Sequence, residues 1–244
     1  MSTAPRQRVL ASSSVHRPSD LVQLNEEIVS CTRCSRLITY CQKIGREKRR
    51  AYRDWDYWAK PVPGFGDPAA RLLILGLAPG AHGSNRTGRP FTGDGSGNFL
   101  YPVLHKAGFA SQPNGTHRED GMQLRDAYIT ATVRCAPPQN KPTPQEIANC
   151  ASHLDRELAL LTNVKVVVVL GRIGFDAYLN YLKRRGELTS KSAFQFGHGE
   201  KYRLPNGGTL LCAFHPSLQN TNTGRLTEKM LLNVFKRARK LIER

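Results

Sequence analysis

VKVVVVL, residues 164–170, is β-branched at all but two positions and too short to fill a helix of ordinary length. Valine is stiff about χ1 and packs well on a pleated surface, so the run reads as a strand. Apart from Lys165 it lacks polar alternation, the pattern of a strand buried on both faces. Working outward, three further apolar runs behave alike: 72–77 (LLILGL), 127–133 (AYITATV) and 209–214 (TLLCAF). Helical spacing occupies the intervals at about 97–108, 144–161, 172–185 and 224–243. Buried strands alternating with helices predict an α/β fold with a parallel sheet covered on both faces. Ligands of such sheets sit at the carboxyl ends of the strands. The loops 78–97, 134–143 and 215–224 follow three of those ends and are expected to converge on one site.

Upstream, residues 1–19 read as a flexible basic tail and 20–244 as a single domain. Leu21, Leu24 and Ile28 share one helical face, with Ser19 or Asp20 as N-cap, and this helix is expected to end near Cys31–Cys34. A basic, aromatic stretch follows from Lys43 to Lys60, and PVPGFG (61–66) reads as loop. There is no internal repeat.

The 244 residues carry 36 Lys and Arg against 19 Asp and Glu, a net charge of +17. Such an excess attracts polyanions, of which nucleic acid is the commonest. No apolar run approaches the roughly 20 residues of a membrane span, and no apolar signal segment opens the chain. A cytoplasmic, reducing location is therefore expected. The six cysteines then read as ligands or core residues before disulfides. Cys31 and Cys34 form a C-x2-C pair, and Cys135 and Cys150 flank a proline-rich loop. Four thiolates suit zinc or an iron–sulfur cluster, and spacing does not choose. Cys212 reads as core; Cys41 is an alternative to one of the four.

GLAPGAHGSNRTGRPFTGDGSG (76–97) has seven glycines in 22 residues. It lacks the G-K-[ST] of a P-loop and the dinucleotide fingerprint, which leaves a shaped pocket. Its polar members include His82, Asn85 and Asp94, and Phe91 is suited to stacking on a base or to loop packing. FHPSLQNTNTGR (214–225) places His215 directly after a strand, with Ser217, Asn220, Asn222 and Arg225 suited to phosphates.

These motifs, together with VRCAPPQNKPTP (133–144), resemble the uracil-DNA glycosylase superfamily, most closely its family-5 (type B) branch. The resemblance runs from Leu21 onward. It implies a three-layer α/β/α sandwich around a four-stranded parallel sheet. It also implies a [4Fe–4S] cluster on Cys31, Cys34, Cys135 and Cys150. The activity implied is excision of uracil and other deaminated bases, hypoxanthine among them, from DNA in base excision repair by a monofunctional enzyme. Ala78 stands where several branches carry a catalytic Asp or Asn, and Ala131 where related cluster enzymes carry an edge-reading Asn. A weaker edge reader fits a broader base range.

On that reading the nucleotide is flipped into a pocket of Phe91, Ala78, Gly80, His82 and Ala131. His215 stabilises the leaving base, and Asp94 or Asn85 positions water. Arg86, Arg89, Lys141, Ser217, Asn220, Asn222 and Arg225 meet the DNA backbone. Leu218 either wedges into the vacated stack or packs internally. A monomer suffices, in a bacterial or archaeal cytoplasm at the nucleoid. The competing readings are a non-catalytic iron–sulfur nucleic-acid-binding protein, an electron-transfer protein and a phosphohydrolase.

Overall fold

Residues 18–243 are described by a computed structural model. The elements run α1 (Pro18–Val29), α2 (Ser35–Glu47), β1 (Phe65–Gly66), β2 (Leu72–Gly76), α3 (Ser84–Thr87), α4 (Gly95–Lys106) and β3 (Ala127–Ala131). They continue with α5 (Pro144–Leu160), β4 (Val166–Leu170), α6 (Arg172–Arg184), β5 (Lys201–Arg203), β6 (Thr209–Ala213), α7 (Leu218–Asn222) and α8 (Glu228–Ile242). The expected tail lies outside the described residues as far as residue 17. Pro18 and Ser19 already belong to α1, so Ser19 and Asp20 sit inside its first turn and are not its N-cap. Proline has no N–H to lose there, and Asp20 complements the positive helix end.

The strand order is β1-β3-β2-β4-β6-β5. The four expected strands are its parallel centre, with Leu72 opposite both Ala127 and Val166, and Val166 opposite Thr209. Two antiparallel edges extend the sheet to six strands. Residues 65 and 66 are therefore strand and not loop: Phe65 pairs with Ile129 and Gly66 with Tyr128. Two residues are too few to show a period, but they cover the open edge of β3. Gly66 adopts φ +141°, and a Cβ there would lie 2.4 Å from the Ala127 carbonyl oxygen.

Side-chain alternation builds three layers. Leu72, Ile74, Ile129, Val166, Val168 and Leu211 face α4 and α8, meeting Leu100, Leu104, Leu231 and Phe235. Leu73, Leu75, Tyr128, Val167, Val169 and Leu210 face α1, α5 and α6, meeting Leu21, Leu154, Phe175 and Leu179. Burying each such side chain contributes about 1.5–3 kcal/mol.

α2 was not expected. It buries Leu37 and Cys41 one turn apart, with Ile38 and Tyr40 packed beside them, against Val133, Ala136 and Cys150. It is fixed by Arg36, whose guanidinium forks onto Glu146 at 2.7 Å on both oxygens. Glu146 also closes a capping box with Thr143 at the start of α5. The helix expected over 224–243 is α8 and starts four residues later, because Gly224 turns at φ +71° and Thr227 caps α8 through the Met230 N–H. Among the described residues no helix is long and apolar enough to cross a membrane.

The chain leaves β2 toward β3 on one side, and β4 toward β6 on the other. Reversal of direction between β2 and β4 opens a crevice at their carboxyl ends.

Candidate active site

That crevice holds a cleft of about 660 Å³, within the usual range for ligand sites. The three expected loops do converge there: Ala78, Gly80, His82, Phe91 and Asp94 come from the glycine-rich loop, Ala131 from β3, and His215, Ser217 and Leu218 from the last loop. Phe91 holds a left-handed backbone, φ +51°, unusual for an aromatic residue. Its ring edge rests over Gly76, where a Cβ would come within 3.0 Å. Its centroid is 5.9 Å from the His215 ring at 34°.

Asp94 caps α4, its Oδ1 accepting from the Gly97 N–H at 3.0 Å. Oδ2 lies against the backbone of Gly80 and Gly83; a Cβ on Gly83 would overlap it at 1.9 Å. These glycines are therefore required by the carboxylate's seat. Burial pushes the Asp94 carboxyl up, against the Gly97 and Ser96 N–H groups and the Arg86 charge. His215 hangs beside Gly171, whose φ of +95° and missing Cβ admit it. The Asn220 amide holds the His215 carbonyl at 2.8 Å. Burial pulls the His215 imidazole down to about 4, so it is neutral at pH 7. His82 bonds Tyr57 Oη through Nδ1 at 3.0 Å, and burial with Arg49 and Arg86 pulls it down too.

Several expected site residues have other work. Asn85 is fully buried, and its amide donates to the carbonyls of Cys41 (3.2 Å) and Ala81 (3.4 Å), outside the cleft lining. It is in no position to hold water there. Arg86 is buried between Tyr52 and Trp55, at 3.9 and 4.0 Å from their centroids, and ties the His82 carbonyl (2.8 Å) to that of Gly93 (2.7 Å). It shapes the loop instead of meeting phosphate. Arg89 is likewise buried, forked onto Asp120 at 2.7 Å and bonded to Thr92. Asn220 is committed to the His215 carbonyl, and Ser217 caps α7 while lining the cleft. Lys141, Asn222 and Arg225 are exposed, Arg225 resting 4.7 Å from the Phe214 ring. Leu218 is 58% exposed at the cleft mouth, so internal packing is not its role.

Sequence reasoning missed Tyr40, Gln139 and Asn140 in the cleft wall. Tyr40 sits on the unexpected α2. Gln139 and Asn140 take φ +55° and +57°, consecutive left-handed residues between prolines. The PPQNKP composition signalled a turn but not its direction. Arg46, Arg49, Arg50, Arg53 and Lys60 are exposed, from the end of α2 onward, in the stretch whose Tyr57 bonds His82 of the cleft lining.

Cys31, Cys34, Cys135 and Cys150 line a second, small cavity with Arg33, Arg134, Asn149 and His153. All six cysteines are free thiols. The Asn149 amide donates to Cys34 Sγ at 3.5 Å. Cys41 is outside this lining, its sulfur accepting from the Ala136 N–H at 3.3 Å. Among the described residues, no three His, Cys, Asp or Glu side chains gather as they would around a single metal ion. The donor chemistry nevertheless fits a larger, sulfur-rich anion. Arg134 Nε and both His153 nitrogens are buried without partners at this cavity, and burial with nearby arginines pulls His153 down to about 4.

The model of the uracil DNA glycosylase superfamily matches residues 63–239. A type-5 uracil-DNA glycosylase of Thermus thermophilus is 52% identical over 88% of this chain and 95% of its own length. One of Mycobacterium bovis is 45% identical over 91% and 81%. A type-4 uracil-DNA glycosylase of Thermotoga maritima is 28% identical over 75% and 83%.

Proposed function

The chain belongs to the uracil DNA glycosylase superfamily, with type-5 glycosylases among its near relatives, and from that premise we propose that it excises uracil and hypoxanthine from DNA, hydrolysing the N-glycosidic bond to leave an abasic site. The carrying observation is a single cleft where Phe91, Asp94 and His215 meet from segments far apart in sequence. A base within a duplex is unreachable, so the nucleotide must be extruded. Phe91 takes the face of the base, and Leu218 fills the stack it left.

Bond cleavage places positive charge on the sugar and negative charge on the base. Neutral His215 donates an N–H to the base oxygen where that charge gathers. One preorganised donor of this kind is worth about 3 kcal/mol. Ala78 has no group to activate water, so departure of the base runs ahead of attack. Asp94 is the cleft carboxylate that orients and polarises the incoming water; Asn85 drops from that role because its amide faces Cys41. Ala131 offers the base no polar side chain, and the Gln139 and Asn140 amides are polar groups of the same cleft lining. Two adaptable amides accommodate both a pyrimidine edge and hypoxanthine's.

Lys141, Asn222 and Arg225 meet the flanking phosphates, joined by the exposed arginines after α2. Cys31, Cys34, Cys135 and Cys150 hold a [4Fe–4S] cluster that staples the N-terminal helices to the sheet domain. The enzyme works as a monomer in the cytoplasm, at the nucleoid. The test is base release and alkaline strand nicking on duplexes holding uracil, hypoxanthine or xanthine. Release of uracil and hypoxanthine, lost together in His215→Ala, is the expected result. Intact uracil strands would refute the activity, and uracil release alone would refute the wider range.

A further inference from the structure

His153 follows Cys150 by three residues on α5, so both leave the same face of the helix. That face borders the cavity lined by the four cysteines. His153 is 3% exposed, and neither ring nitrogen has a hydrogen-bond partner. Arg134 reaches the same cavity. Two of its guanidinium nitrogens fork onto buried Glu157, while Nε is left without an acceptor. A buried donor is costly to leave unpaired, and native interiors rarely do so. Two residues with the same defect at one cavity point to a bound acceptor. Thiol sulfur is a weak acceptor, whereas the sulfides and thiolates of an iron–sulfur cluster carry negative charge. The Asn149 amide, already on Cys34 Sγ, shows the same polarity of contact.

We infer that His153 donates an N–H hydrogen bond to a sulfur of the cluster held by Cys31, Cys34, Cys135 and Cys150, with Arg134 Nε as a second donor. The inference rests on the cluster reading given under Proposed function. A donor to sulfur favours the more negative, reduced state, so the bond raises the cluster's tendency to take an electron. His153 is thus a positioning and tuning residue, not a ligand.

The experiment uses the full chain purified without oxygen and begins with iron, sulfide and visible absorbance. A protein free of iron ends the cluster reading, and this inference with it. With the cluster present, protein labelled with ¹⁵N-histidine is reduced, chemically or by low-temperature irradiation, and examined by pulsed electron paramagnetic resonance. A weak nitrogen coupling that changes with the label is expected, since His153 is the histidine lining this cavity among the described residues. His153→Leu should abolish it and lower the reduced-to-oxidised ratio at fixed potential about tenfold, about 59 mV for one electron. His153→Gln keeps an N–H donor and should recover most of that loss. An iron-loaded wild type with no histidine coupling overturns the inference while sparing the cluster reading, as does a leucine variant at the wild-type potential. Should the leucine variant not fold, the coupling in the wild type still decides.

Discussion

His215 could be placed at a strand end from sequence, but its ionisation could not, because burial is a property of the assembled cleft. With its imidazole held down to about 4 it remains neutral through pH 5–8. The single-turnover rate on uracil duplex should therefore show no inflection near 6.5 that vanishes in His215→Gln; such an inflection would mean the protonated form acts. Stability has the opposite sensitivity. Between about 4 and its unfolded value near 6.5, His215 binds more protons unfolded than folded. Stability must then rise with pH across that window, and urea titrations of His215→Gln should show a shallower rise than wild type. His215→Ala should slow excision about 10²-fold, the cost of one preorganised donor. Asp94 and Asn85 show where residue chemistry alone stops. Both are polar members of one loop, and only the fold turns one toward the cleft and the other toward Cys41. Arg86 and Arg89 illustrate the same limit: a cation in a glycine-rich loop reads as a phosphate contact, yet both are buried by aromatic and carboxylate partners distant in sequence.

Elements with a clear period were legible: all four parallel strands and the helices near 97–108, 144–161 and 172–185 carry it. What was not legible was too short to have one, as with β1, β5, α3 and α7; α2 does carry one, Leu37, Cys41 and Ile44 falling on one helical face among polar and basic residues. α4 and α7 are nonetheless the elements that aim the site. Asp94 serves both as cap of α4 and as cleft carboxylate, and two variants separate those roles. Asp94→Asn keeps an acceptor for the Gly97 N–H, so it should melt near wild type while excision falls at least tenfold. Asp94→Ala should lose the same activity and also about 1 kcal/mol of stability. Equal activity of Asp94→Asn and wild type, measured by single turnover, would leave the carboxylate a structural cap only. Leu218 opens α7 and stands exposed at the mouth. As a wedge it is needed only when there is a stack to fill. Leu218→Ala should slow release from duplex several-fold more than from single-stranded DNA of the same sequence, and equal losses on both would contradict the wedge.

At the scale of the molecule, the sequence announced a polyanion partner through a net charge of +17, but not which cations face it. The structure divides them. Arg86, Arg89 and Arg134 are internal, and Arg36 and Arg71 are engaged with Glu146 and Asp126. Arg46 near the end of α2, and Arg49, Arg50, Arg53 and Lys60 after it, are exposed, and Tyr57 of the same stretch bonds His82 of the cleft lining. This segment is anchored by aromatic packing, since Tyr52 and Trp55 clasp the buried Arg86 and the Trp58 N–H donates to the Arg86 carbonyl at 2.9 Å. It presents its charges from a fixed base. Each phosphate neutralised releases counterions, and the affinity then falls with log salt at a slope of about −0.9 per contact on duplex DNA. Replacing Arg49, Arg50 and Arg53 together by glutamine should weaken binding to any duplex, reduce the steepness of that slope by about 2–3, and leave the single-turnover rate at saturating enzyme near wild type. The Arg49 charge acts on His82, so the triple variant should be compared with Arg50→Gln/Arg53→Gln, which leaves that neighbourhood intact. A slope unchanged in both variants would take the DNA contact away from this stretch and leave it to the exposed Lys141 and Arg225. The same titration on Arg86→Gln makes the contrast: a buried arginine should cost folding stability and loop shape, and should not change the salt slope of whatever protein remains folded.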